Sequence, residues 1–273
     1  MVTYFKRLYS AFKEKSFTAF LYHILIYFYW EIKSTQMFEI NGYSATFDAD
    51  IDRGGARNRR RFPREKEEIK YLIEQIKPTD VVYDIGANIG LFTCFLSQQV
   101  PQGEVIAFEP YPPNVEQLRR NVSYNEGNAR IFEIALSDRH GTINFDQPPD
   151  EKVGYGTASI TSGNESSDIA VKTAPADDLT NQGKIPQPNV VKLDVEGSES
   201  LVVSGMEETL SSDACRVLLC EIHLKAGNSR PSIYDFGTTP KEFYTQIEDL
   251  GFEIESQNRR QDAVHIRAIK KNE

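Results

Sequence analysis

Residues 80–90, DVVYDIGANIG, decide the fold of this chain. A short apolar run ends at Asp84 and passes into a turn that contains Gly86 and Gly90, and residues 91–100 then have the composition of a helix. A buried strand that leads through a glycine turn into a helix is typical of sheets built from βαβ crossovers. This stretch therefore predicts the first unit of an α/β fold.

The alternation of strands and helices continues through the rest of the chain. It implies right-handed crossovers and a doubly wound, mostly parallel sheet, so we expect a Rossmann-like fold. The last two strands, at residues 252–255 and 263–269, are joined by a polar segment and predict a hairpin, with one antiparallel strand at the C-terminal edge. The other strands are predicted at residues 80–84, 104–109, 129–136, 189–194 and 216–222, and helices at residues 65–76, 91–100, 113–124, 199–210 and 240–250.

Composition divides the chain into two parts. The formal net charge of the 273 residues is −9, but residues 1–70 carry more basic than acidic side chains, so the excess of acid lies in the remainder. An acidic main part argues against nucleic acid as a partner, because such binding depends on Lys and Arg contacts to phosphates. We therefore predict an N-terminal aromatic and basic helical extension with its linker at residues 1–62, and one α/β domain at residues 63–273.

The predicted extension contains two unusual segments. Residues 17–30, FTAFLYHILIYFYW, are apolar but too short for a membrane-spanning helix, which needs about 20 residues. This segment packs on the domain or on a second subunit, or else residues 1–33 make a peripheral membrane contact with their basic side chains at headgroup level. Residues 52–61, DRGGARNRRR, are typical of a solvated loop, although such a run can also bind a phosphate or an anionic lipid surface.

The cysteines indicate a reducing compartment. Cys94, Cys215 and Cys220 are odd in number and lack the spacing of a metal site, and two of them stand in apolar runs. We therefore expect a cytoplasmic protein that is at most peripheral at the inner face of a membrane. The sequence leaves its oligomeric state open.

Acidic residues stand at the predicted carboxyl ends of the strands, where ligands bind in doubly wound sheets. The turn after the first strand has Asn88 where a dinucleotide fingerprint has its second glycine, so a pyrophosphate is not expected. Asp84 would instead suit a positively charged group, and Glu109 would accept hydrogen bonds from the hydroxyls of a ribose. These residues predict an adenosine-like ligand with a ribose, no phosphate and a positively charged tail.

S-adenosylmethionine (SAM) has this chemistry, and four segments of the chain carry a family resemblance. They are VVYDIGANIGLFTCFLS at residues 81–97, VIAFEPYPPNVEQLRRNV at 105–122, IALSDRHGTINF at 134–145 and VVKLDVEGSESLVVSGM at 190–206. In this order the segments resemble the FkbM family of SAM-dependent methyltransferases, over roughly residues 64–269. The resemblance implies a Rossmann-like class I methyltransferase fold with SAM as the cofactor.

The residues that the resemblance assigns to SAM follow the first three predicted strands. They are Asp84, Gly86, Ala87 and Asn88 on the methionine and ribose side, Glu109 at the ribose hydroxyls, Pro110 and Tyr111 beside the adenine, and Ser137 and Asp138 at the adenine edge. Turn geometry alone is another explanation for Gly86 and for the Ser137–Asp138 pair.

Candidate residues for methyl transfer follow the fourth predicted strand and end the fifth. The protein must align donor and acceptor, and a hydroxyl acceptor needs a base for its proton. Asp194 and Glu196 are two positions apart, as are Glu221 and His223, so each pair can face one side. His223 is the preferred base because the usual pKa of histidine lies near neutrality, while Asp194 or Glu196 orients its ring or acts as the base itself. A divalent metal ion held by these four residues is the less favoured alternative.

The FkbM resemblance implies O-methylation of a hydroxyl, on a sugar of a glycan, glycolipid or glycosylated natural product. Methylation of protein or nucleic acid is an alternative, although the motif of exocyclic-amine methyltransferases is missing after the fourth strand. A nicotinamide-dependent oxidoreductase is a second alternative, and the missing second glycine argues against it. The third is an inactive ligand-binding module, which the acidic residues at the strand ends make a weaker interpretation.

Overall fold

The computed structural model describes residues 34–50, 54–145, 153, 169–224, 231–260 and 262–270. The apolar segment at residues 17–30 and the expected membrane contact of residues 1–33 lie outside this part of the chain. None of the helices described is both long and apolar enough to cross a membrane. The strands are β1 (Thr35–Ile40), β2 (Tyr43–Asp48), β3 (Val81–Ile85), β4 (Glu104–Phe108), β5 (Ala129–Phe132), β6 (Ala135–Leu136), β7 (Gly141–Phe145), β8 (Ile169–Ala174), β9 (Val190–Leu193), β10 (Val217–His223), β11 (Glu253–Arg259) and β12 (Ala263–Ile269). The α-helices are α1 (Gly55–Gln75), α2 (Leu91–Leu96), α3 (Pro112–Ser123), α4 (Ala176–Asn181), α5 (Glu199–Ser204), α6 (Glu207–Ser211) and α7 (Pro240–Asp249), with 3₁₀ turns at Ser97–Gln99 and Ile233–Phe236.

Seven strands form the central sheet, in the order β11-β12-β10-β9-β3-β4-β5. β3, β4, β5, β9 and β10 are parallel, and β12 pairs antiparallel with both β10 and β11. The doubly wound, mostly parallel sheet expected from the sequence is confirmed. The chain runs from β3 through β4 to β5 and then returns to β9 on the other side of β3, so the switch point lies between β3 and β9.

The antiparallel strand expected at the C-terminal edge lies one position further in. β12 (AVHIRAI) stands between β10 and β11, and β11 (EIESQNR) forms the edge. β12 is mostly buried, whereas β11 is almost entirely exposed. An apolar strand gains stability from two neighbours, and a polar strand tolerates an open edge.

The third predicted strand, residues 129–136, is divided between two sheets. β5 joins the central sheet beside β4, and β6 pairs with β8 in a second sheet of order β6-β8-β7. β7, β8 and α4 were not predicted, because they flank a polar stretch whose composition is typical of a loop.

Helix α1 begins at Gly55, well before the start predicted at residue 65, and includes most of the segment expected to be a loop. Gly54 precedes it with a φ of +87°, a left-handed conformation that suits glycine, and arginine is a good helix former. The helix buries Ile69 and Leu72 in the core beneath the sheet. The boundary predicted after residue 62 therefore falls inside a helix rather than at the end of a linker.

The hairpin of β1 and β2 also packs in the core of the α/β domain. Phe47 is fully buried, and its ring centroid lies 6.2 Å from that of Phe95 in α2. The Asn125 side chain accepts a hydrogen bond from the Thr46 N–H and donates one to the Thr46 carbonyl, both at 2.8 Å. The sequence assigns this hairpin to the extension, because two short strands in isolation carry no sign of what covers them.

Phe47→Ala is expected to lower the free energy of unfolding of the whole domain by about 3 to 5 kcal/mol, the usual cost of removing a buried phenylalanine side chain. Urea denaturation followed by circular dichroism measures this loss. Tyr43→Ala, at an exposed position of the same hairpin, is the control and should change stability by less than about 0.5 kcal/mol. Equal stabilities for the two variants would contradict the packing of the hairpin in the domain core.

Candidate active site

A buried lysine ties together the two strands at the switch point. Lys192 in β9 places Nζ 3.0 Å from Asp84 Oδ1 in β3. The same ammonium donates hydrogen bonds to the carbonyls of Ile85 at 3.2 Å and Gly86 at 2.9 Å. Burial alone would lower the pKa of Lys192, but the charges of Asp84 and Asp194 outweigh it and raise this pKa. Lys192 is therefore protonated and holds the start of the turn that follows β3.

The glycine turn after β3 is shaped by the close approach of β9. Gly86 has a φ of +74°, and a Cβ atom at this position would stand 1.8 Å from the carbonyl oxygen of Asp194. Asn88 is also left-handed, with a φ of +54°, a conformation that asparagine adopts more readily than most residues. The N–H groups of Gly86 and Ala87 both donate to the Phe108 carbonyl at 3.0 Å. The turn is thus fixed against the ends of both β9 and β4.

Glu109 follows β4 and lies against the glycine turn. Its Oε2 accepts a hydrogen bond from the Asn88 N–H at 2.8 Å, and its Oε1 accepts from the Tyr111 N–H at 3.0 Å and from Asn114 Nδ2 at 3.2 Å. Burial raises the pKa of Glu109, and these hydrogen bonds offset that effect only in part. Each carboxylate oxygen has two acceptor sites, so Glu109 retains capacity for a ligand hydroxyl.

A cavity of about 400 Å³, the β3–β4 cavity, lies at the carboxyl ends of these two strands. Its volume is within the range of about 300 to 1,000 Å³ that small-molecule sites occupy. Most of the residues predicted to bind the cofactor line it: Gly86, Asn88, Glu109, Pro110, Tyr111, Ser137 and Asp138. Ile134, Leu136 and Phe236 add an apolar part to the lining that sequence patterns did not indicate.

Asp84 and Ala87, by contrast, do not line the β3–β4 cavity. The Asp84 side chain is fully buried behind the turn, where it accepts a hydrogen bond from Thr93 Oγ1 at 2.6 Å and pairs with Lys192. The ammonium compensates the charge of this carboxylate, which weakens the argument that Asp84 attracts a cationic ligand, and its role in cofactor binding stays a prediction. The position of Asp84 at a strand end does not reveal that Lys192 lies beside it on the neighbouring strand.

The four residues predicted for catalysis meet around the ring of His223. Its Nε2 lies 3.4 Å from Glu196 Oε2, 3.9 Å from Asp194 Oδ1 and 4.0 Å from Glu221 Oε1. The ends of β9 and β10 bring them together, because these strands are parallel neighbours in the sheet. His265 in β12 extends the cluster, with its Nε2 3.2 Å from Glu221 Oε1.

Glu199 sets the orientation and charge of His223. It is fully buried, and its Oε1 lies 2.7 Å from His223 Nδ1 and accepts a hydrogen bond from the Gly197 N–H at 2.9 Å. Burial alone would lower the pKa of His223, but the hydrogen bond and charge of Glu199, with the charges of Asp194 and Glu196, raise it to about 10. His223 is therefore a cation at neutral pH, and the argument for it as the base, a pKa near neutrality, does not apply.

A second cavity, the arginine cavity, opens beside these carboxylates and has a volume of about 640 Å³. It shares Arg61, Asp194 and Glu196 with the β3–β4 cavity. Arg61 Nη2 lies 3.2 Å from Asp194 Oδ2, at the junction of the two spaces. The rest of its lining consists of Arg57, Arg60, Arg64, Glu65, Glu221, His223, Arg260, Asp262 and Ala263.

Two groups of side chains in the described part of the chain have donor atoms close enough to share a metal ion. One consists of Asp194, Glu196 and His223, and the other of Glu65, Glu221 and His265. The donor types suit a divalent cation. Asp194, however, already has Arg61 at 3.2 Å and Lys192 at 4.0 Å. Its negative charge is therefore compensated by side chains of the protein.

The sequence profile of the methyltransferase FkbM domain matches residues 84–254, which is more than half of the chain. The chain belongs to the FkbM methyltransferase family. It is accordingly a SAM-dependent methyltransferase, as the four sequence segments predict. An oxidoreductase is excluded by this membership.

Two relatives and one solved structure illustrate the similarity. The chain is 31% identical to the hexuronic acid methyltransferase AglP of Haloferax volcanii, over 85% of this chain and 89% of that protein. It is 32% identical to the 2-O-methyltransferase NoeI of Sinorhizobium fredii, over 50% of this chain and 60% of that protein. The crystal structure of methyltransferase FkbM from Methylobacillus flagellatus has a TM-score of 0.47 and 16% identity, and the match covers 70% of this chain and 44% of that one.

The β3–β4 cavity of this methyltransferase fits SAM in size and in chemistry. Gly86 and Asn88 of the turn line it, and the Glu109 carboxylate stands where ribose hydroxyls bind in doubly wound sheets.

Three residues at the centre of the site are not among those predicted from the sequence: Lys192, Glu199 and Arg61. The sequence does contain a signal for Lys192. A lysine within a buried strand is seldom without a charged partner, so its position predicts an ion pair. From the sequence alone, Glu199 is typical of a first-turn residue favoured by the helix dipole, and Arg61 of a loop. Nothing in the local sequence shows that these two side chains point to the ends of β9 and β10.

Glu109→Gln is expected to weaken SAM binding about tenfold or more, because the amide nitrogen cannot accept hydrogen bonds from backbone N–H groups or from a ribose. Isothermal titration calorimetry with SAM measures the loss. Glu116→Gln, an exposed position of α3, is the control and should bind SAM as the unaltered protein does.

The pH dependence of SAM binding provides a further check on Glu109. Because burial raises the pKa of this carboxyl, it takes up a proton at a higher pH than an ordinary glutamate as the solution is acidified. SAM affinity should therefore fall on the acid side of neutrality, and the Glu109→Gln variant should lack that part of the dependence. The same pH profile in both proteins would contradict the role of Glu109.

Proposed function

We propose that this methyltransferase transfers the methyl group of SAM to a hydroxyl of a sugar, in a glycan, a glycolipid or a glycosylated small molecule. The named activities of two relatives, a hexuronic acid methyltransferase and a 2-O-methyltransferase, support this acceptor class. The observation that carries the proposal is the junction of two cavities at Asp194 and Glu196. A donor in one cavity and an acceptor in the other would meet there, as an in-line displacement requires.

We assign the β3–β4 cavity to SAM. Glu109 would accept hydrogen bonds from the ribose hydroxyls, and Gly86 and Asn88 would face the ribose and the methionine. Ser137 and Asp138 would lie at the adenine edge, where a carboxylate can accept a hydrogen bond from the amino group. All five residues line this cavity, which supports the assignment.

Glu196 is the proton acceptor in this proposal. It lines both cavities, and its backbone is held in a left-handed conformation, with a φ of +53°. Gly197 follows with a φ of +102°, and a Cβ atom there would stand 2.8 Å from the Pro231 carbonyl carbon, so the chain turns tightly at this point. A sugar hydroxyl becomes strongly acidic as its oxygen bonds to the methyl carbon, so a carboxylate in contact with it can take the proton.

His223 positions Glu196 in this proposal and does not take the proton. As a cation it lies 3.4 Å from Glu196 Oε2 through Nε2, while Glu199 holds the opposite nitrogen. The imidazolium would attract the Glu196 carboxylate and orient it at the junction of the cavities. Asp194 is the weaker candidate for the base, because Lys192 and Arg61, acting against the effect of burial, hold its pKa well below the usual range.

Arg61 and Lys192 compensate the charge of Asp194, and His223 lies beside Glu196, so we infer methyl transfer without a divalent metal ion. Dialysis against EDTA should then leave turnover unchanged. A loss of turnover that Mg²⁺ or Mn²⁺ restores would instead assign an ion to Asp194, Glu196 and His223.

We also propose a cytoplasmic location, with residues 1–33 as a candidate peripheral membrane contact. Cys94, Cys215 and Cys220 are all buried and unbridged, and burial raises the pKa of each thiol. Such thiols behave as small apolar side chains, which supports a reducing compartment.

Incubation with methyl-labelled SAM and a mixture of glycan, protein and RNA acceptors tests the function. We expect label in the sugar fraction, stable to mild base, as a methyl ether is. Label confined to protein or RNA, with normal SAM binding, would reject the sugar acceptor and support the alternative class.

Glu196→Gln is expected to lower kcat about 10²- to 10⁴-fold, the usual contribution of a general base, with an unchanged dissociation constant for SAM. Steady-state transfer to the sugar acceptor and calorimetry with SAM measure the two quantities. Glu208→Gln, at an exposed position of α6, serves as the matched control. Full turnover in Glu196→Gln would remove the proton-acceptor role from this residue.

A further inference from the structure

One face of α1 carries a row of four arginines. Arg57 precedes Arg60 and Arg61 by three and four residues, and Arg64 follows them by four and three, spacings that place helical side chains on the same face. Along the axis they span about 10 Å, at about 1.5 Å per residue. Like charges at these spacings destabilise a helix, and the first turn of α1 contains no acidic residue to compensate them.

Only part of this charge is neutralised within the described part of the chain. Arg61 pairs with Asp194. Arg260, which also lines the arginine cavity, pairs with Glu65 of α1 and donates a hydrogen bond to the Arg64 carbonyl. The guanidinium groups of Arg60 and Arg64 are exposed and have no carboxylate within ion-pair distance among the residues described.

The charge of Arg60 also acts on the neighbouring Arg59. Burial lowers the pKa of Arg59, and the charge of Arg60 lowers it further. An anion bound at Arg60 would reduce this repulsion.

The row faces the space that the proposed acceptor would occupy. Arg57, Arg60, Arg61 and Arg64 all line the arginine cavity, together with Glu196 and His223. The guanidinium groups of Arg60 and Arg64, which have no ion-pair partner among the described residues, therefore stand in the same space as the proposed proton acceptor.

We propose that the acceptor sugar is anionic and that Arg60 and Arg64 bind its carboxylate or phosphate while a hydroxyl of the same molecule lies at Glu196. This inference rests on the proposed sugar methylation and specifies its substrate class. Guanidinium groups bind carboxylates and phosphates through paired, charge-assisted hydrogen bonds, so they orient the ligand as well as attract it. Two such groups one helical turn apart suit an anion at a fixed distance from the reacting hydroxyl.

Calorimetry on the protein saturated with S-adenosylhomocysteine tests the proposal without requiring turnover. The four probes are glucose, glucuronic acid, UDP-glucose and UDP-glucuronic acid, which vary the carboxylate and the diphosphate independently. We expect at least tenfold tighter binding of one or more anionic probes than of glucose, with an affinity that falls as salt is added. Preference for glucuronic acid identifies a carboxylate as the recognised group, and preference for UDP-glucose identifies a phosphate. Equal binding of all four probes, or none, overturns the proposal.

Variants then connect this affinity to the arginine row. Arg60→Gln combined with Arg64→Gln should weaken the preferred anionic probe at least tenfold and leave both glucose and SAM binding unchanged. Lys66→Gln, which removes a positive charge from the same helix outside the cavity, is the control and should bind the probe normally. An unchanged affinity in the double variant would overturn the role of Arg60 and Arg64.

The methyl-transfer assay separates this inference from the proposed function. Transfer to neutral sugars, with the same kcat/KM in the double arginine variant, would keep sugar methylation and reject an anionic acceptor. Tight binding of an anionic sugar with label only on protein or RNA would reject sugar methylation instead, and it would make the arginine row a site for another anion.

Discussion

The ammonium of Lys192 is the interaction on which both halves of the site depend. It is buried between β3 and β9, where it pairs with Asp84 and donates to the carbonyls of Ile85 and Gly86. A buried charge without partners would cost several kcal/mol, so Lys192 is stable here only while these contacts persist. They fix the glycine turn on the side of the β3–β4 cavity, and Asp194, 4.0 Å from the same ammonium, begins the loop on the other side. One cation thus fixes the position of the turn relative to the loop.

This arrangement determines which carboxylates remain available for ligands. Asp84 pairs with Lys192 behind the turn, whereas Glu109 lines the β3–β4 cavity. Asp194 is shared between Lys192 and Arg61, which leaves Glu196 as the carboxylate at the junction of the cavities whose cationic neighbour is His223. The pKa of His223 rises to about 10 because Glu199 holds its other nitrogen. The choice of Glu196 as the proposed base therefore follows from pairings between side chains of different strands, helices and loops.

The sequence predicts those features of the structure that depend on local residue patterns. It does not predict features that depend on a partner distant in the chain. Apolar runs and glycine turns locate β3, β4, β9 and β10, and the strand-end rule places Glu109 in the cavity lining. The same rule does not reveal that Asp84 pairs with Lys192, because this partner is distant in the chain. The pKa of His223 depends on Glu199 in another element, and the interior position of β12 depends on the polarity of β11. The predicted helix starts ten residues later than α1 does, because a row of arginines is typical of an exposed loop and does not reveal that these side chains line a cavity.

Helix α1 lies outside the residues that the family profile matches, whereas most of the site lies inside them. The matched region, residues 84–254, contains the glycine turn, Glu109 and the residues around His223, but it excludes the whole of α1. The helix nevertheless supplies Arg61 to the junction of the two cavities and Glu65 to the wall of the arginine cavity. The proposed SAM cavity and proton acceptor thus lie mostly within the residues that the family profile matches, whereas much of the proposed acceptor wall comes from a helix outside that profile match. Changes on one face of α1 can therefore alter the acceptor while Lys192 and the cofactor turn keep their contacts.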